Sequence, residues 1–225
     1  MDSTNPAGRD PVPEKDLPPD LPSWERRPAR MRLVASRRLT GITAVLDGVH
    51  DPHNISAVLR SCDAFGVQHA HMIGNPEDLA PNHAITRGCQ KWLTLHYHPD
   101  AAACAKCLHE DGFALWAALP DRDATSLDDI DFGGKIALLF GAERNGISDE
   151  MIAHADGRFF IPMSGFSQSL NVSVAAAISL YVGTRNRRRR LGEASDLSRD
   201  AINNLAQSWI EADETAKRRG YANPG

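Results

Sequence analysis

The sequence predicts an α/β protein, a parallel sheet with helices on both faces. From Thr43 onward, short β-branched or apolar runs alternate with helical stretches, the pattern of strand–helix–strand units. Three loops carrying Gly, Ser or Asn follow directly on such runs, at the carboxyl ends of strands where a parallel sheet holds its ligands. A length of 225 residues, 42% hydrophobic and 24% charged, suits one sizeable core rather than two.

Taken in order, residues 1–30 hold seven of the fourteen prolines among Asp, Glu and Arg, have no apolar period, and read as a disordered arm. Strands are expected at 44–49, 70–73, 93–97, 113–118, 136–140 and 158–162, with helices at 54–65, 84–91, 101–110 and 149–155 between them. The stretch from Val172 through Ala175-Ala176-Ala177 to Tyr181 reads as a helix of small residues that other backbone can approach closely. A linker-like 192–195 precedes a last helix at 196–219. There Ile202, Leu205, Ala206, Trp209 and Ile210 share one face at i, i+3, i+4, i+7 and i+8, a face to pack on the core or on a partner subunit. The organisation is thus an arm at 1–30, a sheet domain at 31–191 and a helical extension at 192–225.

No apolar run reaches the ~18 residues of a membrane span, and the Pro-rich start lacks the apolar stretch of a signal peptide, so a cytoplasmic location is expected. The formal net charge of −4 hides an asymmetry. Arg185, Arg187, Arg188, Arg189 and Arg190 form one run, and Arg26, Arg27, Arg30, Arg32, Arg37 and Arg38 another. Two Arg-rich segments flanking one core point to a polyanion partner, because phosphate contacts supply most non-specific nucleic-acid affinity. Four cysteines make no disulfide framework in a chain this long. Cys104-Ala-Lys-Cys107 has the spacing of a redox or zinc half-site but no second Cys pair, and reads as structural. His96 and His98 alternate along a strand and His50 and His53 flank a loop; none forms a helical H-x3-H pair, and no metal is expected.

In the first loop, Asn54 reads as a helix N-cap, and Arg60 lies one and a half turns further, placed to reach a phosphate. The second, Gly141-Ala142-Glu143-Arg144-Asn145-Gly146-Ile147-Ser148, has the G-x4-G-x-S frame of a phosphate-cradling loop. It lacks the lysine that chemistry needs, since Ile147 stands there. No G-x-G-x-x-G follows a strand, so a nucleoside triphosphatase and a classical dinucleotide enzyme are both disfavoured. Glu143 is left as a hydrogen-bond acceptor for a sugar, an amine or another loop. The third loop, I-P-M-S-G-F-S-Q-S-L-N-V-S at 161–173, leaves backbone N–H and C=O groups for a ligand, with Ser169 or Asn171 to cap the next helix.

Together the three loops resemble the SpoU branch of the SPOUT RNA 2'-O-ribose methyltransferases, and most closely the TrmH family acting on transfer RNA. The resemblance spans about 37–190. It rests on N-I-S-A-V-L-R at 54–60, F-G-A-E-R-N-G-I-S at 140–148 and I-P-M…Q-S-L-N-V-S-V-A at 161–175, in that order. It implies a SPOUT fold with a C-terminal deep trefoil knot and S-adenosylmethionine held by Ala117, Gly141, Glu143, Ile161, Ser169 and Leu170. Asn54, Arg60, Glu143, Ser169 and Asn171 would form the reacting centre. Arg37, Arg38, Arg185, Arg187, Arg188, Arg189 and Arg190 would hold RNA, and the protein would be a homodimer. The implied activity is 2'-O-methylation of a D-loop guanosine of tRNA. The alternatives are an rRNA 2'-O-methyltransferase of the same branch and an idle RNA-binding protein on the same fold.

Overall fold

A computed structural model describes residues 17–218, apart from 120 and 122. In chain order the elements are α1 (Ser23–Ala35), β1 (Leu39–Asp47), α2 (Pro52–Phe65), β2 (Val67–Ile73), α3 (His83–Thr86), β3 (Thr94–His98), α4 (Ala101–Glu110) and β4 (Phe113–Ala118). They continue with β5 (Thr125–Ser126), β6 (Lys135–Gly141), α5 (Asp149–Ala153), β7 (Gly157–Phe160), α6 (Val172–Leu191) and α7 (Arg199–Arg218). The strands form one sheet in the order β3-β2-β1-β6-β4-β7-β5, and every pair is parallel.

The strands are apolar on both sides because both faces are covered. Along β6, Ile136, Leu138 and Phe140 enter one core while Ala137 and Leu139 enter the other. The first core takes Ile55, Val58 and Leu59 of α2 and Val172, Ala176 and Leu180 of α6. The second takes Ala101, Cys104 and Leu108 of α4 and Met151 of α5. The expected parallel sheet with helices on both faces is therefore the observed architecture. Putting β6 between β1 and β4 gathers the carboxyl ends of β1, β6, β4 and β7 along one edge.

Some elements differ from expectation, each for a local reason. The stretch 84–91 is not one helix: α3 stops at Thr86, Arg87 and Gly88 adopt positive φ (48° and 77°), and a 3-10 turn follows at Cys89–Trp92. The edge strand β5, only two residues long and too short to show a sequence period, adds to β7 at Phe159 and Phe160. Residues 23–30 are not disordered. They begin α1, whose Met31 and Ala35 meet Ala206 and Trp209 of α7, so the predicted apolar face of the last helix packs within the chain. Arg27 clamps this pair with two bonds to Asp213, 2.8 and 2.5 Å. Residues 1–16 of the expected arm and Arg219 lie outside the described residues. The presumed linker is tied down as well: buried Ser195 donates to Arg38 O (2.6 Å), and Asp196 accepts from the backbone of Thr40 (2.7 Å) and Gly41 (2.8 Å) at the start of β1.

Candidate functional site

The three loops meet at the carboxyl edge of the sheet. Asn171 Nδ2 donates to Glu143 Oε1 (2.6 Å) and to Asn54 Oδ1 (3.1 Å), and Asn54 Nδ2 donates to the same Glu143 oxygen (3.2 Å). One side chain from each loop thus joins a closed three-way junction. Both amides are oriented by it, since each nitrogen faces an acceptor.

Each loop is shaped to deliver its residue. In the first, Asp51 rather than Asn54 caps α2: its carboxylate accepts from His53 N (2.9 Å), and Pro52 occupies the first turn, where a missing N–H costs nothing. Asn54 therefore lies inside the helix, buried at 7% exposure, with its amide free for the junction. The expected cap lay too far along the chain, and the Asp-Pro pair was the signal for the right one. In the second loop, Ala142 and Gly146 bond each other reciprocally (3.0 and 2.8 Å), pinching 143–145 into a tight tip, and Gly146 takes φ 68°. Asp47, buried at the end of β1, accepts from Ser148 N (2.7 Å) and anchors the far side of this loop. Asp47 is a positioning residue that the motifs did not single out; an acid ending an apolar strand was its trace. In the third loop, Asn171 caps α6 through Oδ1, which accepts from Ser173 N (2.8 Å), Val174 N (3.4 Å) and Ser173 Oγ (2.6 Å). Asn171 is thus fully committed, a hub that fixes its neighbours.

Gly141 is the tightest point. A Cβ there would fall on the backbone of Gly146 and Ile147, which cannot rotate away. Gly141→Ala is expected to cost about 1–3 kcal/mol through overpacking, read as a lowered thermal midpoint. A midpoint equal to the parent's would show that the loop opens freely.

The other site residues fall in two groups. Ala117, Gly141 and Ile161 lie at the ends of the adjacent strands β4, β6 and β7, with Ala117 paired to Leu139 and Arg158. The Ala117 methyl is buried in the second core, so any ligand contact there falls to its backbone. Residues 162–169, including Ser169, are exposed, whereas Ile161 and Leu170 at the loop's two ends are half-buried. Phe166 is fully exposed, and Met163 of the same loop and Val174 and Tyr181 of α6 are exposed large apolar side chains as well. Arg60 is exposed and stands apart: six residues beyond Asn54, it lies about 9 Å along the helix axis and roughly 120° around it.

The Arg runs need correction. Arg38 has no exposed surface; it pairs with Asp63 (2.5 Å) beneath the Trp209 ring (5.3 Å). Arg187 is buried on Asp196 (2.7 Å) and donates to the carbonyls of Phe132, Gly133 and Gly134. Arg188 donates to the carbonyls of Arg37, Phe65 and Ala194 at 2.9–3.0 Å. These bonds commit all three guanidinium groups to the protein itself, Arg38 and Arg187 buried and Arg188 half-buried. Arg37 is half-buried, while Arg185, Arg189 and Arg190 are placed nearer the surface, Arg190 next to Asp131 (3.0 Å). That group lies some 20–30 Å from Asn171 along α6, at the amino edge of the sheet.

A family model described as the SpoU rRNA Methylase family matches residues 41–181. The chain is 44% identical over 164 residues to the tRNA (guanosine(18)-2'-O)-methyltransferase of Thermus thermophilus, covering 72% of this chain and 84% of the relative. The solved A. aeolicus TrmH/SpoU tRNA modifying enzyme superposes with a TM-score of 0.76 at 30% identity, over 84% of this chain and 97% of that one. The SpoU methyltransferase AviRb from Streptomyces viridochromogenes, solved in complex with AdoMet, shares the fold with a TM-score of 0.57 at 24% identity, over 65% and 60% of the two chains.

Proposed function

The chain belongs to the SpoU rRNA methylase family, and we propose that within it the protein transfers a methyl group from S-adenosylmethionine to the ribose 2'-oxygen of a tRNA guanosine in the D-loop. The observation that carries this reading is the junction of Asn54, Glu143 and Asn171, which draws the three motif loops to one edge of the sheet. The relatives named for the guanosine-18 reaction are 31–44% identical, and they support the choice of substrate.

The residues present suit the cofactor. Gly141 lets the second loop fold back tightly on the end of β6, and Ile161 and Leu170 offer apolar surface at either end of a solvent-open loop whose N–H and C=O groups can meet an adenosine. Ala117 and Ser169 would add backbone and hydroxyl contacts. When bound, S-adenosylmethionine supplies an activated methyl group on a good leaving group, so the protein's task is chiefly positioning. Asn171 and Asn54 hold Glu143 as an acceptor at the mouth of the site.

The ribose hydroxyl must lose its proton as the new bond forms. A guanidinium is a strong hydrogen-bond donor with no acceptor, so the role of Arg60 is to clamp the adjoining phosphate and stabilise the developing negative charge, with water taking the proton. Its distance from the junction supports a homodimer in which Arg60 serves the neighbouring subunit's site, and the exposure of Met163, Phe166, Val174 and Tyr181 supports a covering partner. In this reading the family's trefoil knot lies where the second and third loops cross, and Arg185, Arg189 and Arg190 hold the RNA backbone in the cytoplasm. Among the described residues no helix is long and apolar enough to cross a membrane. The test is an unmodified tRNA transcript incubated with labelled S-adenosylmethionine. Label recovered as 2'-O-methylguanosine supports the reading; label on a base rejects it.

A further inference from the structure

A second concentration of chemistry lies away from the junction, where α4 crosses β2 and β3. His71 of β2, His98 at the end of β3 and Cys104 of α4 are 4%, 9% and 0% exposed, and each places a ligand atom within 4.8 Å of the others. His71 Nδ1 and His98 Nε2 already meet at 2.9 Å. The strand register sets His96 directly opposite His71, where the rings stack with centroids 4.4 Å apart and fix the orientation of His71. The sequence adds an independent observation: Cys107 follows Cys104 at i+3, on the same helix face. Cys104-Ala-Lys-Cys107 lacked a second pair of donors in the sequence; the sheet register supplies one as two histidines.

We propose that His71, His98 and Cys104 bind a thiophilic divalent cation, zinc by donor set, with Cys107, one turn along α4 from Cys104, as the fourth donor. Two imidazoles with one or two thiolates are a tetrahedral zinc complement. Zinc–nitrogen bonds of about 2.0–2.1 Å set tetrahedral nitrogens about 3.3 Å apart, so the two rings must part slightly and each turn by about 35° to aim its lone pair at the ion. The proton shared by the two rings moves to a far ring nitrogen, the thiol proton leaves to solvent, and one proton is released per ion bound through Cys104. The complex would clip the edge strand β3 and helix α4 to β2.

The test uses the reduced full chain after dialysis against chelator. Cobalt(II) is expected to give a thiolate charge-transfer band that saturates at one equivalent and is bleached by zinc. Zinc at roughly 100-fold over its Kd should raise the melting temperature by about 5–10 °C. Cys104→Ser and His98→Ala should each abolish the band and the shift, and Cys107→Ser should weaken binding by about tenfold or more. Absence of both band and zinc-dependent shift in the parent chain overturns the proposal, whether or not the variants fold. A band that survives in Cys104→Ser and His98→Ala overturns it too.

Discussion

Arg60→Ala is expected to lower the single-turnover methylation rate by about 10²–10³-fold while S-adenosylmethionine affinity stays within about twofold of the parent. The separation follows from position. Arg60 is exposed on α2, about 9 Å along the axis from Asn54 and turned away from the junction, so its removal leaves the cofactor loops intact. Arg60→Lys keeps the charge but loses the planar fork that grips phosphate, and an intermediate rate is expected. Its pH–rate profile separates two roles. An unchanged basic limb fits a phosphate clamp, and a shifted one indicates direct proton transfer by residue 60. Equal loss of cofactor affinity and rate would place Arg60 in the cofactor pocket instead.

The largest stability effect is expected at Asp196. Its carboxylate accepts from Thr40 N, Thr40 Oγ1 and Gly41 N and pairs with Arg187 at 2.7 Å, with both side chains under a tenth exposed. Asp196→Ala leaves the Arg187 guanidinium buried without its counter-charge, and a loss of about 3–5 kcal/mol is expected in denaturant unfolding. Pairing it with Arg187→Met should recover part of that loss, because an apolar pair carries no stranded charge. Burial alone would raise the Asp196 carboxyl, but bonds from Thr40, Arg187 and Gly41 outweigh it and leave the group below its ordinary value. A depressed folded value stabilises above the unfolded carboxyl value of about 3.9 and is lost as pH falls through the folded one. The difference between parent and Asp196→Ala should therefore be full at neutral pH and shrink in acid below about pH 4. A constant difference down to strong acid would exclude the ion pair as its source.

The site was more legible than its surroundings. The family resemblance grouped Asn54, Glu143 and Asn171, which meet because loops after parallel strands converge on one edge, whereas the residue pattern alone made Asn54 a helix cap and left the partner of Glu143 open. The apolar face of α7 was equally plain, since periodicity alone sets which residues share a side. Arginine is where sequence misled. A run such as Arg185 to Arg190 looks uniformly solvated, yet Arg187 and Arg188 turn inward because Asp196 and the carbonyls of Arg37 and Phe65 come back from distant parts of the chain. The break at Arg87 and Gly88 depended on a positive φ at an arginine, a conformation its side chain does not favour and only its surroundings impose. The histidine and cysteine cluster was divided among three elements, and only the register of β2 on β3 joins it.

The most direct test offers the protein total RNA from cells lacking its activity, with labelled S-adenosylmethionine, and maps the methylated nucleotide. Label on the ribose of the D-loop guanosine of tRNA, lost with Arg60→Ala, is the result expected of a site built from these three loops. Label confined to ribosomal RNA would contradict the substrate, and no label in any RNA would contradict the enzyme.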